Sequence, residues 1–290
     1  MYSLLGYEEN IRNIYKLCAA SSANATSIKT TEELTVSFRS FLRSHQPAVP
    51  INTGPTKFVD DESVELQLVE AYSPSSLNDL EQQKLISSPC PTNEKKKVFS
   101  ELDFALTILG DSDLRLRTLF DVVVHSLFVR KSKSLDGRAI SAGGSSSSAI
   151  GVTWISDRHG LTKNDYAELL LHELTHHLIF IDERCNEQFN YPEMIKPENY
   201  ALSALLGLRR PMDKVVHSII VGTEILLARR SFMNLGGVTV HPKTDVLERQ
   251  VLASIEDVFN SRSVNDVLTE RTLFLLHSCR YKLTEMKEVA

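Results

Sequence analysis

Residues 166–183 read YAELLLHELTHHLIFIDE. Leucine, isoleucine and phenylalanine recur through this stretch, which predicts a helix made for burial. Yet His172, Glu173, His176 and His177 sit inside the apolar run. Polar groups without partners are expensive in a core, so something must satisfy these. The pentad HELTH, His172 to His176, is an H-E-x-x-H. Residues four apart on a helix lie one above the other, so the two imidazoles converge on one point beside the helix. Two convergent imidazoles make half a metal site, and Glu173 stands next to it without being a ligand. His177 points about 100° away from His176 and is expected to support the site or to pack.

Working upstream, Thr162 and Asp165 have the spacing of a capping box that opens this helix. Before it, AIGVTWIS (149–156) is rich enough in β-forming residues to predict a strand, reached through the serine tract of SAGGSSSS. That strand could receive an extended peptide edge to edge. Further back, DSDLRLRTLFDVVVHSLFV (111–129) places Leu116, Leu119, Phe120, Val123, Val124, Leu127 and Phe128 at helical spacing. The pattern predicts one buried helix capped by Asp111 or Ser112, with His125 off the apolar set at the surface or boundary. Thr30 and Glu33 open another helix with a capping box.

Downstream, Pro211 suits the first position of a long apolar helix running to about Arg230, and Gly236 with Gly237 ends that unit. Two amphipathic helices, near 244–261 and 264–287, finish the chain. The expected fold is mainly α with a small central β-sheet (α+β), the H-E-x-x-H helix packed against the long helix that follows. Breaks at HQPAVPINTGP and SSPCPTNEKKK suggest a helical region over 1–98, a candidate for peptide recognition, and a metal-binding catalytic region over 99–290. One continuous domain is the alternative.

At 290 residues, 42% hydrophobic and 24% charged, the chain has the composition of an ordinary soluble protein. A formal net charge of −5 gives no basic footprint for nucleic acid. No run approaches the roughly 18 apolar residues that span a bilayer, so no membrane partner is expected. The first residues lack the basic start and apolar core of a secretory signal. Cys18, Cys90, Cys185 and Cys279 show no CxxC spacing and read as reduced thiols, which places the chain in the cytoplasm.

Further ligands must come from elsewhere in the chain. Downstream candidates are Asp182, Glu183, Glu187, Glu193, Glu198, His217 and Glu224. Asp182 and Glu183 are more than a turn further along the same helix and reach back poorly. His217 lies among Val215, Val216, Ile219 and Ile220, where antiparallel packing would present its ring to the first helix. Glu224 is the alternative.

The segment from about Phe120 to Arg230 resembles the HExxH-type peptide-modifying proteins found beside ribosomally made peptides, a group that includes 2-oxoglutarate-dependent peptide β-hydroxylases. The resemblance rests on SAGGSSSSAIGVTWIS, LLLHELTHHLIFIDE and LRRPMDKVVHS, and covers a little over a third of the chain. It implies that His172, His176 and His217 bind Fe(II), that 2-oxoglutarate chelates the metal with O₂ beside it, and that the substrate is a precursor peptide. Arg210 matches the arginine of the family's Arg-Pro and would hold the far carboxylate of 2-oxoglutarate, with Arg209 the less suited neighbour. Glu173 would orient substrate or a water. The H-E-x-x-H alone is shared with many zinc peptidases, and three histidines also suit Zn²⁺. The alternative is therefore a zinc metallopeptidase with Glu173 as general base. A third class is a non-catalytic protein whose histidines or metal only brace the helix pair.

Overall fold

Val152–Ser156, the last five residues of the expected strand, is buried along its whole length and lies inside a four-stranded sheet. The computed structural model describes residues 1–21, 28–72, 86–132, 141–158, 160–233 and 235–288. Strands β1 (Ile86–Pro89), β2 (Ser126–Ser132), β3 (Gly143–Ser145) and β4 (Val152–Ser156) are arranged β1-β2-β4-β3. β2 and β4 are parallel, while β1 and β3 run antiparallel to their neighbours. Alternate side chains face opposite ways. Phe128, Val152 and Trp154 join Val49, Val59 and Leu68 in a smaller apolar cluster. Leu127, Val129 and Ile155 enter the main core. Because β4 has a neighbour on each side, it offers no free edge to a peptide; β3 holds that end of the sheet.

The helix expected over 111–129 is two elements. α5 (Thr92–Ser112) takes in Asp111 and Ser112, and Asp113 caps α6 (Leu114–Val123) by accepting from the amides of Arg115 and Leu116. The chain then turns into β2, so His125 is not at the surface: it is 2% exposed. The run VVVHSLFV fits either period, and a strand covered on both faces is a continuous apolar run like this one. Pairing of Ser126–Arg130 with Val152–Ser156 decides for the strand.

The amino-terminal part contributes α1 (Tyr2–Leu5), α2 (Tyr7–Ser21), α3 (Thr31–His45) and α4 (Glu62–Ala71). The Thr30–Glu33 capping box of α3 is present. A division at residue 98 falls inside α5, and Leu17, Phe38 and Leu42 share one apolar cluster with Leu102, Leu178 and Ile220.

The quoted stretch lies in α7 (Lys163–Cys185), opened by the Thr162–Asp165 capping box. After α8 (Tyr191–Met194), a two-stranded ribbon of β5 (Ala201–Leu202) and β6 (Arg209–Arg210) leads through Pro211 into α9 (Met212–Ser231). α7 and α9 are antiparallel, because Arg229 meets Glu168 at one end of the pair and His217 meets Glu183 at the other. α10 (Thr244–Phe259), α11 (Val264–Val267) and α12 (Glu270–Glu288) close the chain. α10 approaches α9 at Gly222, where an added Cβ would lie 2.5 Å from Val251 Cγ2. The architecture is mainly helical around a small sheet, and among the described residues no helix is long and apolar enough to cross a membrane.

Candidate metal centre

Most of α7 is buried, but His172 and His176 keep partial access to solvent. Their four-residue spacing brings His172 Nε2 within 3.2 Å of His176 Nε2. Two nitrogens each about 2.1 Å from one ion lie roughly 3.0–3.4 Å apart for angles between the octahedral and tetrahedral values. The other nitrogen of each ring is engaged elsewhere. His176 Nδ1 is 3.3 Å from Nδ1 of His217, whose Nε2 is 3.0 Å from Glu183 Oε1. His172 Nδ1 is 2.8 Å from Nε2 of His241, whose Nδ1 is 2.8 Å from Glu168 Oε1.

The result is a row, Glu168–His241–His172–His176–His217–Glu183, with five contacts and both nitrogens of every imidazole in use. Burial, with smaller contributions from neighbouring imidazoles, holds the pKa values of His172 and His176 well below the usual range, so both are neutral. A neutral imidazole carries one N–H, so His172 and His176 can each donate from only one of their two ring nitrogens. Glu168 and Glu183 can each accept from the imidazole beside them, and protons of His172 and His176 held on Nδ1, toward His241 and His217, would leave both Nε2 atoms bare. In that arrangement the contact without a proton is the one between His172 Nε2 and His176 Nε2. Two lone pairs facing each other there call for a cation, and neutral imidazole is the ligating form. The donor set therefore fits a metal ion.

His217 reaches the site, as antiparallel packing predicts, but beside His176 Nδ1 and not at the Nε2 pair. Among the described residues, only Cys90, Glu94 and Asp157 place three metal-binding atoms within 4.8 Å of one another. Burial raises the Cys90 thiol to about 11. Glu224, the alternative to His217, is committed elsewhere. It pairs with the amino group of Met1 and accepts from the amides of Ser3 and Leu4.

Glu173 is 1% exposed, with Oε1 3.9 Å from His172 Nε2. Burial pushes its carboxyl up to about 8, against a hydrogen bond from Ser145 that favours the charged form. Ser145, at the end of β3, donates to Glu173 Oε2 at 2.7 Å. His177 explains itself here. The amide of Gly151 donates to its Nδ1, so the ring proton is on Nε2 and faces Thr153 Oγ1 at 3.0 Å and Ser145 Oγ at 3.2 Å. His177 thus supports the serine that holds Glu173, and does not point at the Nε2 pair. Gly151 is required at this corner: its φ is +87° and a Cβ would sit 2.5 Å from His125 Cδ2.

Arg210 lies on β6, half-buried, directly before Pro211 and α9. Arg209 is bound to Asp257 and to the carbonyl of Tyr200. Of the other downstream acids, Glu193 pairs with Lys196, and Asp182 is held by Arg271, Asn13 and Gln188. His241 was not among the residues that the sequence singles out. No local spacing marks it, because it reaches the site only through the fold. No family model matches the chain, and no curated protein matches it either.

Proposed function

We propose that the chain is an Fe(II)- and 2-oxoglutarate-dependent hydroxylase acting on a side chain of a ribosomally made peptide. The observation that carries the metal is the 3.2 Å approach of His172 Nε2 and His176 Nε2 on one helix face. These two would hold the ion; His217, the third donor that the resemblance implies, stands beside His176 Nδ1 and would have to turn its ring to join them. Fe(II) bound there would supply the oxygen chemistry, with 2-oxoglutarate as the reductant that ends as succinate and CO₂. The resemblance of LRRPMDKVVHS supports this choice of cosubstrate. β6 and α9 carry its arginine and histidine, and α9 packs on α7.

Arg210 would then bind the far carboxylate of 2-oxoglutarate through its guanidinium fork. Glu173, held by Ser145 and braced by His177, orients the substrate or a water at the site's edge. A cation at the Nε2 pair would pull its carboxyl down from about 8 and ionise it at neutral pH. We place the reaction in the cytoplasm, where a reducing environment suits four unpaired thiols.

One observation favours a second reading. Glu173, 3.9 Å from His172 Nε2, also has the place of the general base in an H-E-x-x-H zinc peptidase. Protein purified without oxygen should contain iron and, given Fe(II), O₂ and 2-oxoglutarate, form succinate even without peptide. With the precursor peptide encoded beside it, the product should gain one oxygen atom. Peptide cleavage with Zn²⁺ and no cosubstrate, or no succinate under any of these conditions, would overturn the hydroxylase.

A further inference from the structure

We propose that His241 is a positioning residue for the metal site: with Glu168 and Arg229 it holds the proton of His172 on Nδ1 and leaves Nε2 bare. This rests on His172 and His176 being the metal pair.

The arm begins at Arg229, which binds both oxygens of Glu168, Nε to Oε2 at 2.6 Å and Nη2 to Oε1 at 2.7 Å. Its Nη1 donates to the carbonyl of Pro242, so the guanidinium fixes Glu168 and the backbone beside His241 together. Glu168 is 1% exposed. Burial alone would raise its pKa, but hydrogen bonds from His241 and Arg229 hold it below the usual range. An ionised carboxylate only accepts, so His241 Nδ1 donates to it across 2.8 Å. With Nδ1 turned to Glu168, His241 offers Nε2 as the acceptor for His172 Nδ1, also at 2.8 Å. The two ring planes are within 12° of each other and their centroids 4.9 Å apart, an edge-to-edge placement that suits an in-plane N–H···N bond. A free imidazole puts its proton on either nitrogen, and a neighbour that accepts at one of them makes the choice.

The segment carrying His241 is itself held to α7. Asp165 Oδ1 accepts from the amides of Thr239 and Val240, at 2.5 and 2.8 Å, while Oδ2 closes the capping box with Thr162. The arm is therefore anchored at both ends, one side chain away from the metal pair.

The test uses the full chain in two measurements. Nitrogen-15 NMR of the histidine side chains reads which ring nitrogen carries the proton. Titration with Zn²⁺ against a chromogenic chelator reads affinity without any turnover. The wild-type chain should show His172 protonated on Nδ1. His241→Ala should mix the two tautomers of His172 and weaken Zn²⁺ binding about 10- to 100-fold. Glu168→Gln, which keeps the shape of the side chain, should act in the same direction, and thermal melting confirms that each variant is folded. A wild-type His172 protonated on Nε2, or unchanged Zn²⁺ affinity in a folded His241→Ala variant, overturns the assignment. Nδ1 protonation in a wild-type chain that binds no Zn²⁺ would sink the metal reading proposed above while upholding the proton placement.

Discussion

Three histidines show what a sequence can and cannot say about single residues. His172 and His176 were legible because their partner is four residues away on the same helix. His125 was not, because its surroundings come from β2, Gly151 and α6. Burial, with Arg39, His177 and Lys57 adding to it, drives the pKa of His125 down to about 3. A folded-state pKa below the unfolded value of about 6.5 means that the stabilising contribution is complete above pH 6.5 and lost as pH falls toward 3. Each unit in that window removes up to about 1.4 kcal/mol. His177, driven to about 3 by burial, acts with the same sign. Urea unfolding at pH 7.0 and 5.5 should therefore show a drop in stability that is smaller in His125→Asn. Asparagine keeps a polar group for Ser126 Oγ and cannot titrate. Equal drops in the two proteins would refute this account of His125.

Among the elements, the long helices were well marked. Capping boxes at Thr30 and Thr162 put two starts where the sequence suggests, while Pro211, expected as the first residue of its helix, stands one residue ahead of α9. β2 was hidden, since a strand buried on both faces loses the alternation that distinguishes it from a helix. The close approach of α10 to α9 was equally invisible, because a glycine inside a helix reads only as a weak position. At Gly222 a methyl group would meet Val251 at 2.5 Å. Gly222→Ala should cost about 1–3 kcal/mol by overpacking, despite alanine's better helix propensity. Gly236→Ala is the control, having nothing within 4 Å of the added carbon. Denaturant midpoints of the two variants check this, and a Gly222→Ala protein as stable as the parent would rule out the tight contact.

For the molecule as a whole, the proline-rich breaks looked like a boundary, yet a helix runs through residue 98 and one apolar cluster draws from both sides of it. Unfolding should then be a single transition. Trp154, the only tryptophan, reports on the smaller cluster behind the sheet, and far-UV circular dichroism reports on the helices. The two curves should coincide in urea, and separated midpoints would argue for two independent units. Asp165 shows how such unity reaches the site. One of its oxygens serves Thr162, three residues away, and can engage as soon as α7 nucleates. The other waits for Thr239 and Val240, which arrive from 74 and 75 residues along the chain. Closing so long a loop comes late in folding. A chain with α7 formed but His241 still absent has lost the group that chooses the proton position on His172. The shared carboxylate thus ties two distant stretches of chain together: the start of α7 and the segment that carries His241 are held in place by the same side chain.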